Sequence, residues 1–245
     1  WTLTALPLFV WMGEILFRTR LSENLFKGLS PWMQKLPGGL IHVNVVGCAL
    51  FAAISGSSAA TVATVGKMSI PELRKRKYPE KILLGSLAGS GTLGLLIPPS
   101  IILIIYGVAV QESIAKLFIA GIIPGIMIAL IFMSYVIIWS LLNKKDMPKI
   151  LENYSFLEKI KRSKQLLPVI LLIFSVIGSI YTGIATATEA ASLGVVGALI
   201  LSYFQKSLTL DTFKSSLLGA TKTSCMIAFI LAGSTFLSLA MGFTG

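Results

Sequence analysis

The stretch "LIHVNVVGCALFAAISGSSAATVATV", residues 40–65, is an uncharged run with small residues at its centre. A helix of about 20 apolar residues crosses the hydrocarbon of a bilayer, so one crossing is the simplest interpretation. Basic residues flank the run on both sides: Arg18, Arg20, Lys27 and Lys35 before it, and Lys67, Arg74, Lys75, Arg76, Lys77 and Lys81 after it. The side of the membrane on which these two groups lie decides the topology of the chain.

The composition is that of a membrane protein. The 245 residues are 55% hydrophobic and 13% charged, whereas soluble domains have about 25% charged residues. The formal net charge of +11 would ordinarily suggest a nucleic-acid partner. Here the cations occupy short segments between apolar runs, which favours membrane orientation and argues against nucleic acid.

The positive-inside rule places loops rich in Lys and Arg in the cytoplasm. A single crossing through residues 40–65 would put the two flanking basic groups on opposite sides. A re-entrant hairpin with its tip at Gly56-Ser57-Ser58 puts them on the same side, and each arm, with roughly ten to sixteen residues, is too short to cross. The outer loops, 111–113 and 183–188, then contain no Lys or Arg. The charge map therefore predicts a re-entrant hairpin.

The uncharged run 82–110 carries two adjacent prolines at its centre, Pro98 and Pro99. Proline removes a backbone donor and its ring clashes with the preceding turn, so the carbonyls of Leu93 to Leu95 are expected to lose their partners. Glycines just upstream strengthen the prediction of an unwound segment between two half-helices. Such breaks bind ions and substrate in transporters, although a simple proline kink is the alternative.

The hairpin tip and the helix break supply the candidate site residues. Gly56 allows a positive φ, and Ser57 and Ser58 carry hydroxyls that can bind a cation together with free carbonyls. Close helix packing by small residues is the alternative for the tip. Thr92 and Ser100 flank the break and offer further oxygens. No Cys or His converges there, which argues against a soft metal.

Other polar residues in the apolar runs have structural interpretations. Glu14 and Arg18 form an i,i+4 pair, and Thr186 with Glu189 predicts a capping box, with a functional role for Glu189 as the alternative. The chain contains no HExxH motif and no nucleophile motif, so the sequence does not support an enzyme.

The chain also shows a weak internal similarity. Phe9 and Gly13 match Phe229 and Gly233 in spacing, within helices that the charge map directs oppositely. Oppositely directed repeats are typical of secondary transporters. On this basis a second hairpin is expected after Gly245.

These signals divide the chain into segments of different kinds. Since Trp1 begins inside an apolar run without a starting methionine, and a second hairpin is expected after Gly245, the chain is expected to be incomplete at both ends. The segments are 1–37, the end of a transmembrane helix and an amphipathic interfacial arm; 38–66, the re-entrant hairpin; 67–81, a basic cytoplasmic loop; 82–110, the broken helix; 112–142, a scaffold helix; 143–164, a cytoplasmic interfacial segment; 165–204, two scaffold helices opening the second repeat; 205–222, a cytoplasmic amphipathic segment; and 223–245, a transmembrane helix of the second repeat, cut before its hairpin.

Four stretches carry a family resemblance. They are "GSSAATVATVGKMSIPELRKRKY" at 56–78, "GTLGLLIPPSIILIIYG" at 91–107, "SIAKLFIAGIIPGIM" at 113–127 and "GIATATEAASLGVVGALIL" at 183–201. In this order they resemble the large membrane subunit, DctM-like, of tripartite ATP-independent periplasmic (TRAP) transporters, over essentially the whole chain. The resemblance implies an all-α polytopic membrane protein of the ion transporter superfamily, with inverted repeats and an elevator mechanism.

The resemblance also implies a function and a set of partners. It implies sodium-coupled import of organic anions such as carboxylates, dicarboxylates or sugar acids across the bacterial inner membrane, with sodium as coupling ion and no other cofactor. The implied partners are a small four-helix membrane subunit and a periplasmic substrate-binding protein. A binding-protein-independent carboxylate carrier and an ion channel are the alternatives. The implied sodium and substrate site maps to Gly56, Ser57, Ser58, Gly91, Thr92, Pro98, Pro99 and Ser100.

Overall fold

The computed structural model of the protein describes residues 2–19, 21–148, 154–164 and 166–244, and in these ranges all regular structure is helical. Arg20 and Lys149, two of the predicted cytoplasmic cations, lie outside them. The α-helices are α1 (Ala5–Phe17), α2 (Leu21–Met33), α3 (His42–Ser55), α4 (Ser58–Lys75), α5 (Glu80–Gly91), α6 (Ile101–Ala109), α7 (Ile114–Leu142), α8 (Phe156–Ser163), α9 (Leu167–Tyr181), α10 (Ala187–Phe204) and α11 (Leu210–Thr244).

The described helices are those of a multi-pass membrane protein. By length and composition, three of them can cross a membrane, namely α7, α10 and α11, and α8 with α9 forms a bent pair that would make a fourth. Large apolar side chains on α7 are exposed, as expected for a helix that faces lipid: Ile123 is 78% and Leu142 79% exposed. Such apolar exposure is stable against lipid and unfavourable against water.

Helices α3 and α4 form a hairpin that turns at Gly56. The turn has φ +60° at Gly56, and the Ser57 hydroxyl accepts a hydrogen bond from the Ala60 amide at 3.4 Å, which caps α4. Gly47 and Val65, equally far from Gly56 along the chain, face each other, because a Cβ on Gly47 would lie 3.6 Å from Val65 Cγ1. The two arms are therefore antiparallel and in contact.

The second arm is longer than the sequence predicted. Residues 67–81 were expected to form a basic loop, but α4 continues through them to Lys75. Val65, Ser69 and Leu73 recur at helical spacing and are all buried, so packing of one face extends the helix beyond the hairpin. The basic residues of this part of α4, Lys67, Arg74 and Lys75, are exposed.

The helix predicted over 82–110 is discontinuous. α5 ends at Gly91, a 3₁₀ turn covers Thr92–Leu95, and α6 begins at Ile101. The Ser100 hydroxyl accepts from the Leu103 amide at 3.4 Å and so caps the second half-helix. The break therefore falls at the two prolines, where the backbone cannot continue the helical hydrogen bonds.

Helix α1 connects the hairpin to the later helices. It packs on α3, α10 and α11, and Gly13 lies so close to the end of α3 that a Cβ there would be 2.9 Å from Ser55 Cα. On the other side, Trp11 Nε1 donates to the Ser216 hydroxyl at 3.3 Å. The small residue at Gly13 thus permits α1 to contact the hairpin directly.

The last helix differs from the prediction. Residues 205–222 and 223–245 were expected to be separate segments, but α11 runs without interruption from Leu210 to Thr244. No Gly or Pro lies between 220 and 232, so nothing in the backbone ends the helix there. Phe229 is 82% exposed, and a Cβ on Gly233 would meet nothing within 4 Å.

Two local predictions are confirmed. Arg18 Nη2 lies 2.9 Å from Glu14 Oε2, as expected for an i,i+4 pair. At the start of α10 the Thr186 amide donates to Glu189 Oε2 at 2.8 Å, and the Glu189 amide donates to the Thr186 hydroxyl at 3.4 Å. This reciprocal pair is the predicted capping box.

The positions of the flanking basic residues give a test of the hairpin's topology. In a Cys225→Ser background, which leaves the buried Cys48, we expect Lys35→Cys and Lys75→Cys to react with a membrane-impermeant maleimide from the cytoplasmic side only. Glu112→Cys, the control, should react only from the opposite side. Labelling of the two lysine positions from opposite sides would show that residues 40–65 cross the membrane once.

Candidate functional site

The hairpin tip and the helix break touch each other through their backbones. The Ile101 amide, the first of α6, donates to the Gly56 carbonyl at 3.2 Å. A Cβ on Gly56 would lie 2.5 Å from the Pro99 carbonyl oxygen, and one on Gly94 would lie 2.9 Å from the Ser58 nitrogen. Only glycine permits these approaches, so the sequence builds the contact with residues that lack a side chain.

Four helix ends meet at this contact. α3 ends and α4 begins at the tip, while the 3₁₀ turn Thr92–Leu95 ends and α6 begins at the break. The ends of helices leave backbone groups without intrahelical partners, and the helix dipole makes C-terminal ends negative and N-terminal ends positive. The site therefore offers carbonyls to a cation and amides to an anion without any charged side chain.

Two of the predicted hydroxyls are already used by the backbone around them. Ser100 Oγ donates to the Leu95 carbonyl at 2.6 Å while it accepts from the Leu103 amide. Ser57 Oγ caps α4, and the Ser57 carbonyl accepts from the Thr61 hydroxyl at 2.7 Å. These serines hold the two bends in place.

The expectation that the carbonyls before the prolines lose their partners was wrong for two of them. The Leu93 carbonyl accepts from the Ile97 amide at 2.9 Å, and the Leu95 carbonyl accepts from the Ser100 hydroxyl. Ile97 precedes the prolines, so its amide makes the ordinary i→i+4 bond to Leu93. At Leu95 the Ser100 hydroxyl replaces the amide hydrogen that Pro99 lacks.

Ser58 is different, because its hydroxyl is buried and has no hydrogen-bond partner among the described residues. The Ser90 hydroxyl on α5 is in the same situation. Ser90 precedes Gly91, which lies close to the second hairpin arm, since a Cβ on Gly91 would be 3.7 Å from the Ser58 carbonyl and would clash with Val62. A buried hydroxyl without a partner is unfavourable unless a ligand or water completes it.

Sequence reasoning missed Ser90 and the polar contacts of Ser86 on the same helix. Ser86, one turn earlier on α5, accepts from Asn44 Nδ2 at 3.0 Å, and Asn44 also donates to the Leu83 carbonyl at 3.2 Å. A signal was present, because Ser86 and Ser90 are four residues apart and share one face of the helix. Only the packing of α5 on the hairpin shows that this face meets α3 and α4.

The remaining predicted residues are placed as follows. Pro98 and Pro99 are buried in the break, and Gly91 packs against the second hairpin arm. Thr92 is exposed, and its hydroxyl donates to the Gly89 carbonyl at 2.7 Å. The structure thus brings the tip, Gly91 and the prolines together, while the Thr92 hydroxyl bonds within its own helix.

A cavity of about 460 Å³ lies beside the contact. The tip and the break line one side of it, and α11 lines the other with Met226 and Ile230. None of the described residues that line it is charged. A small solute in this cavity would meet Ser57, Ser58, Thr223 and the backbone at the tip, with apolar side chains around it.

A comparison with protein families assigns the chain to one of them. The family of the tripartite ATP-independent periplasmic transporter, DctM component, matches residues 1–245. The chain belongs to this DctM family. Members related to it are transporter permeases rather than enzymes.

Several curated relatives resemble this DctM-family chain over most of its length. It is 35% identical to the C4-dicarboxylate TRAP transporter large permease protein DctM of Pseudomonas aeruginosa over 96% of the chain and 54% of that protein. It is 35% identical to the sialic acid TRAP transporter large permease protein SiaM of Vibrio cholerae, with the same coverage. It is also 35% identical to the ectoine/5-hydroxyectoine TRAP transporter large permease protein UehC of Ruegeria pomeroyi, over 95% and 54%. The chain spans about half the length of these relatives.

The backbone contact predicts a specific cost at the tip. Gly56→Ala places a methyl group against the Pro99 carbonyl at a positive φ, and we expect it to destabilise the purified protein by about 3 kcal/mol, from left-handed strain plus overpacking. Gly183→Ala is the matched control, because Gly183 has φ +72° but nothing within 4 Å of the added Cβ. It should cost only the strain, about 1–2 kcal/mol. Thermal unfolding in detergent measures both, and equal losses would contradict the tip–break contact.

Proposed function

We propose that the chain is part of the large permease subunit of a sodium-coupled TRAP transporter that imports organic anions. The observation that carries this proposal is the direct contact between hairpin tip and helix break, with the unpartnered Ser58 hydroxyl beside it. Family membership supports a permease, and the contact supports an ion and substrate site at this place in it.

Sodium fits the donors at this contact. It is a hard cation that prefers oxygen ligands, and the site offers hydroxyl and carbonyl oxygens without a carboxylate. Of the three predicted serines, Ser58 is the best ligand, because Ser57 and Ser100 already cap helices. A sodium ion here would add positive charge beside an uncharged cavity and so favour an organic anion in it.

The proposed transport motion carries the hairpin and the broken helix as one body. Helix α3 packs on both α4 and α5, and the Ile101–Gly56 hydrogen bond joins the tip to α6. The frame would include 117–142 of α7 and the interfacial helices. The break and α7 lie in close contact, since a Cβ on Gly121 would be 2.6 Å from the Leu96 carbonyl. A smooth glycine surface on α7 suits an interface along which two bodies slide.

The proposed partners follow from the family. TRAP systems imply a small four-helix membrane subunit, a periplasmic substrate-binding protein and the bacterial inner membrane. Exposed apolar side chains on α7 and α9, such as Ile123 and Phe174, offer surface for lipid and for a membrane subunit. The relatives are named for C4-dicarboxylate, sialic acid and ectoine, so similarity at this level does not single out one solute.

The proposed inverted repeat gives α11 a role. In α1, Gly13 is the position at which the hairpin end at Ser55 comes into contact. The repeat assigns the same packing role to Gly233, where an added Cβ would meet no described atom within 4 Å. A second hairpin of the same kind would contact α11 there.

Uptake measurements test the proposed function. We expect the full-length protein with its small subunit, in proteoliposomes, to accumulate a radiolabelled organic anion only with an inward sodium gradient and a substrate-binding protein. Uptake with sodium alone would favour a binding-protein-independent carrier. Rapid flux down the solute gradient, without sodium or binding protein, would indicate a channel and contradict the proposal.

The sodium site has its own test. Ser58→Ala removes one proposed ligand. We expect the sodium concentration for half-maximal uptake to rise about ten-fold, because the loss of one such interaction costs about 1.4 kcal/mol. Ser69→Ala is the matched control, since Ser69 is on the same helix with a hydroxyl that is also buried and unpartnered in the described chain. Unchanged sodium dependence in Ser58→Ala, or equal shifts in both variants, would contradict a sodium ligand at Ser58.

A further inference from the structure

Helix α8 is short, strongly basic and stabilised at its start. The Ser155 amide donates to Glu158 Oε2 at 2.9 Å in a capping box, which holds the only carboxylate of the helix at its N-terminal end. Four basic residues follow, and none of them forms a salt bridge with a described residue: Lys159, Lys161, Arg162 and Lys164. The positive charge of the helix is therefore not neutralised within the described chain.

Trp32 of α2 fixes the orientation of this helix. Its indole Nε1 donates to the Ser163 hydroxyl at 2.8 Å, its ring lies edge-on to Phe156 at 6.2 Å, and Lys159 Nζ sits 5.3 Å from its centroid. Gly28 closes the contact, since a Cβ there would be 2.6 Å from Leu166 Cγ. The two helices therefore form one surface, in which Trp32 remains 40% exposed.

Apolar side chains project from the same helix. Phe156 is 65%, Leu157 77% and Ile160 41% exposed, beside the exposed amines of Lys161 and Lys164. Helix α9, which is apolar, begins three residues after Lys164, and the axes of α8 and α9 differ by 58°. The turn places α8 at one end of an apolar helix instead of continuing its direction.

We infer that the α8 surface, formed by Trp32, Phe156, Leu157, Lys161, Arg162 and Lys164, binds the phosphate headgroups of anionic phospholipids in the adjacent leaflet. Apolar side chains would enter the acyl boundary while the amines meet the phosphates, as in interfacial amphipathic helices. Arg162 stacks on Tyr154 at 4.3 Å, which leaves the edge of its guanidinium for a phosphate. An acidic protein segment is the less favoured occupant, because it would leave Leu157 and Ile160 without an apolar partner.

Fluorescence quenching of Trp32 tests this inference and does not depend on the transport function. Full-length protein is reconstituted into phosphatidylcholine nanodiscs. In one series an increasing fraction of the lipid is dibrominated phosphatidylglycerol, and in a second series it is dibrominated phosphatidylcholine. Subtracting the signal of Trp32→Phe isolates Trp32 from the other tryptophans. We expect half-maximal quenching at a much lower fraction of phosphatidylglycerol than of phosphatidylcholine.

Charge variants assign the preference to α8. The double variant Lys161→Gln, Lys164→Gln leaves the Trp32 contacts intact. Each lysine is expected to contribute roughly five-fold to the affinity for an anionic lipid, so the phosphatidylglycerol preference should fall by about 25-fold. Lys214→Gln with Lys222→Gln, both exposed on α11, is the matched control and should retain the preference. Two results with the unmodified protein would overturn the inference: equal quenching by the two lipids, or no quenching by either. An unchanged preference in the α8 variant, or an equal loss in the control, would also overturn it.

Discussion

A helix that is interrupted inside an apolar environment must find partners for the backbone groups that it frees, because no water is there to take them. The hydrogen bond from the Ile101 amide to the Gly56 carbonyl meets this requirement for two interruptions at once. It joins the turn of the α3–α4 hairpin to the start of α6. The arrangement of α3 to α6 depends on this pairing, since each interruption alone would leave buried donors and acceptors unsatisfied.

Small residues make the pairing possible and also shape the site. Gly56 and Gly94 let backbone approach backbone, and Gly121 lets α7 approach the Leu96 carbonyl from the other side. Such contacts leave no room for charged side chains, so the chemistry of the site rests on helix ends, carbonyls and a few hydroxyls. This explains how an uncharged cavity can be proposed to bind both a cation and an organic anion.

The sequence predicts the two interruptions well and their surroundings less well. Pro98 and Pro99 act on their own backbone, and Gly56 with Ser57 forms a local turn and cap, so both features can be recognised without tertiary structure. The length of α4 could not be predicted, because burial of Ser69 and Leu73 extends it into a segment whose charges suggested a loop. The roles of Ser58, Ser90 and Ser100 depend on which hydroxyls the folded backbone already uses.

The central claim is that the tip and the break hold sodium together. Hydrogen–deuterium exchange of the full-length protein, followed by mass spectrometry over a sodium titration with choline as the replacing cation, measures this directly. The account predicts that peptides covering 54–60 and 95–103 become protected together, with one sodium midpoint. Protection of only one of the two segments, different midpoints, or exchange that does not respond to sodium would contradict it.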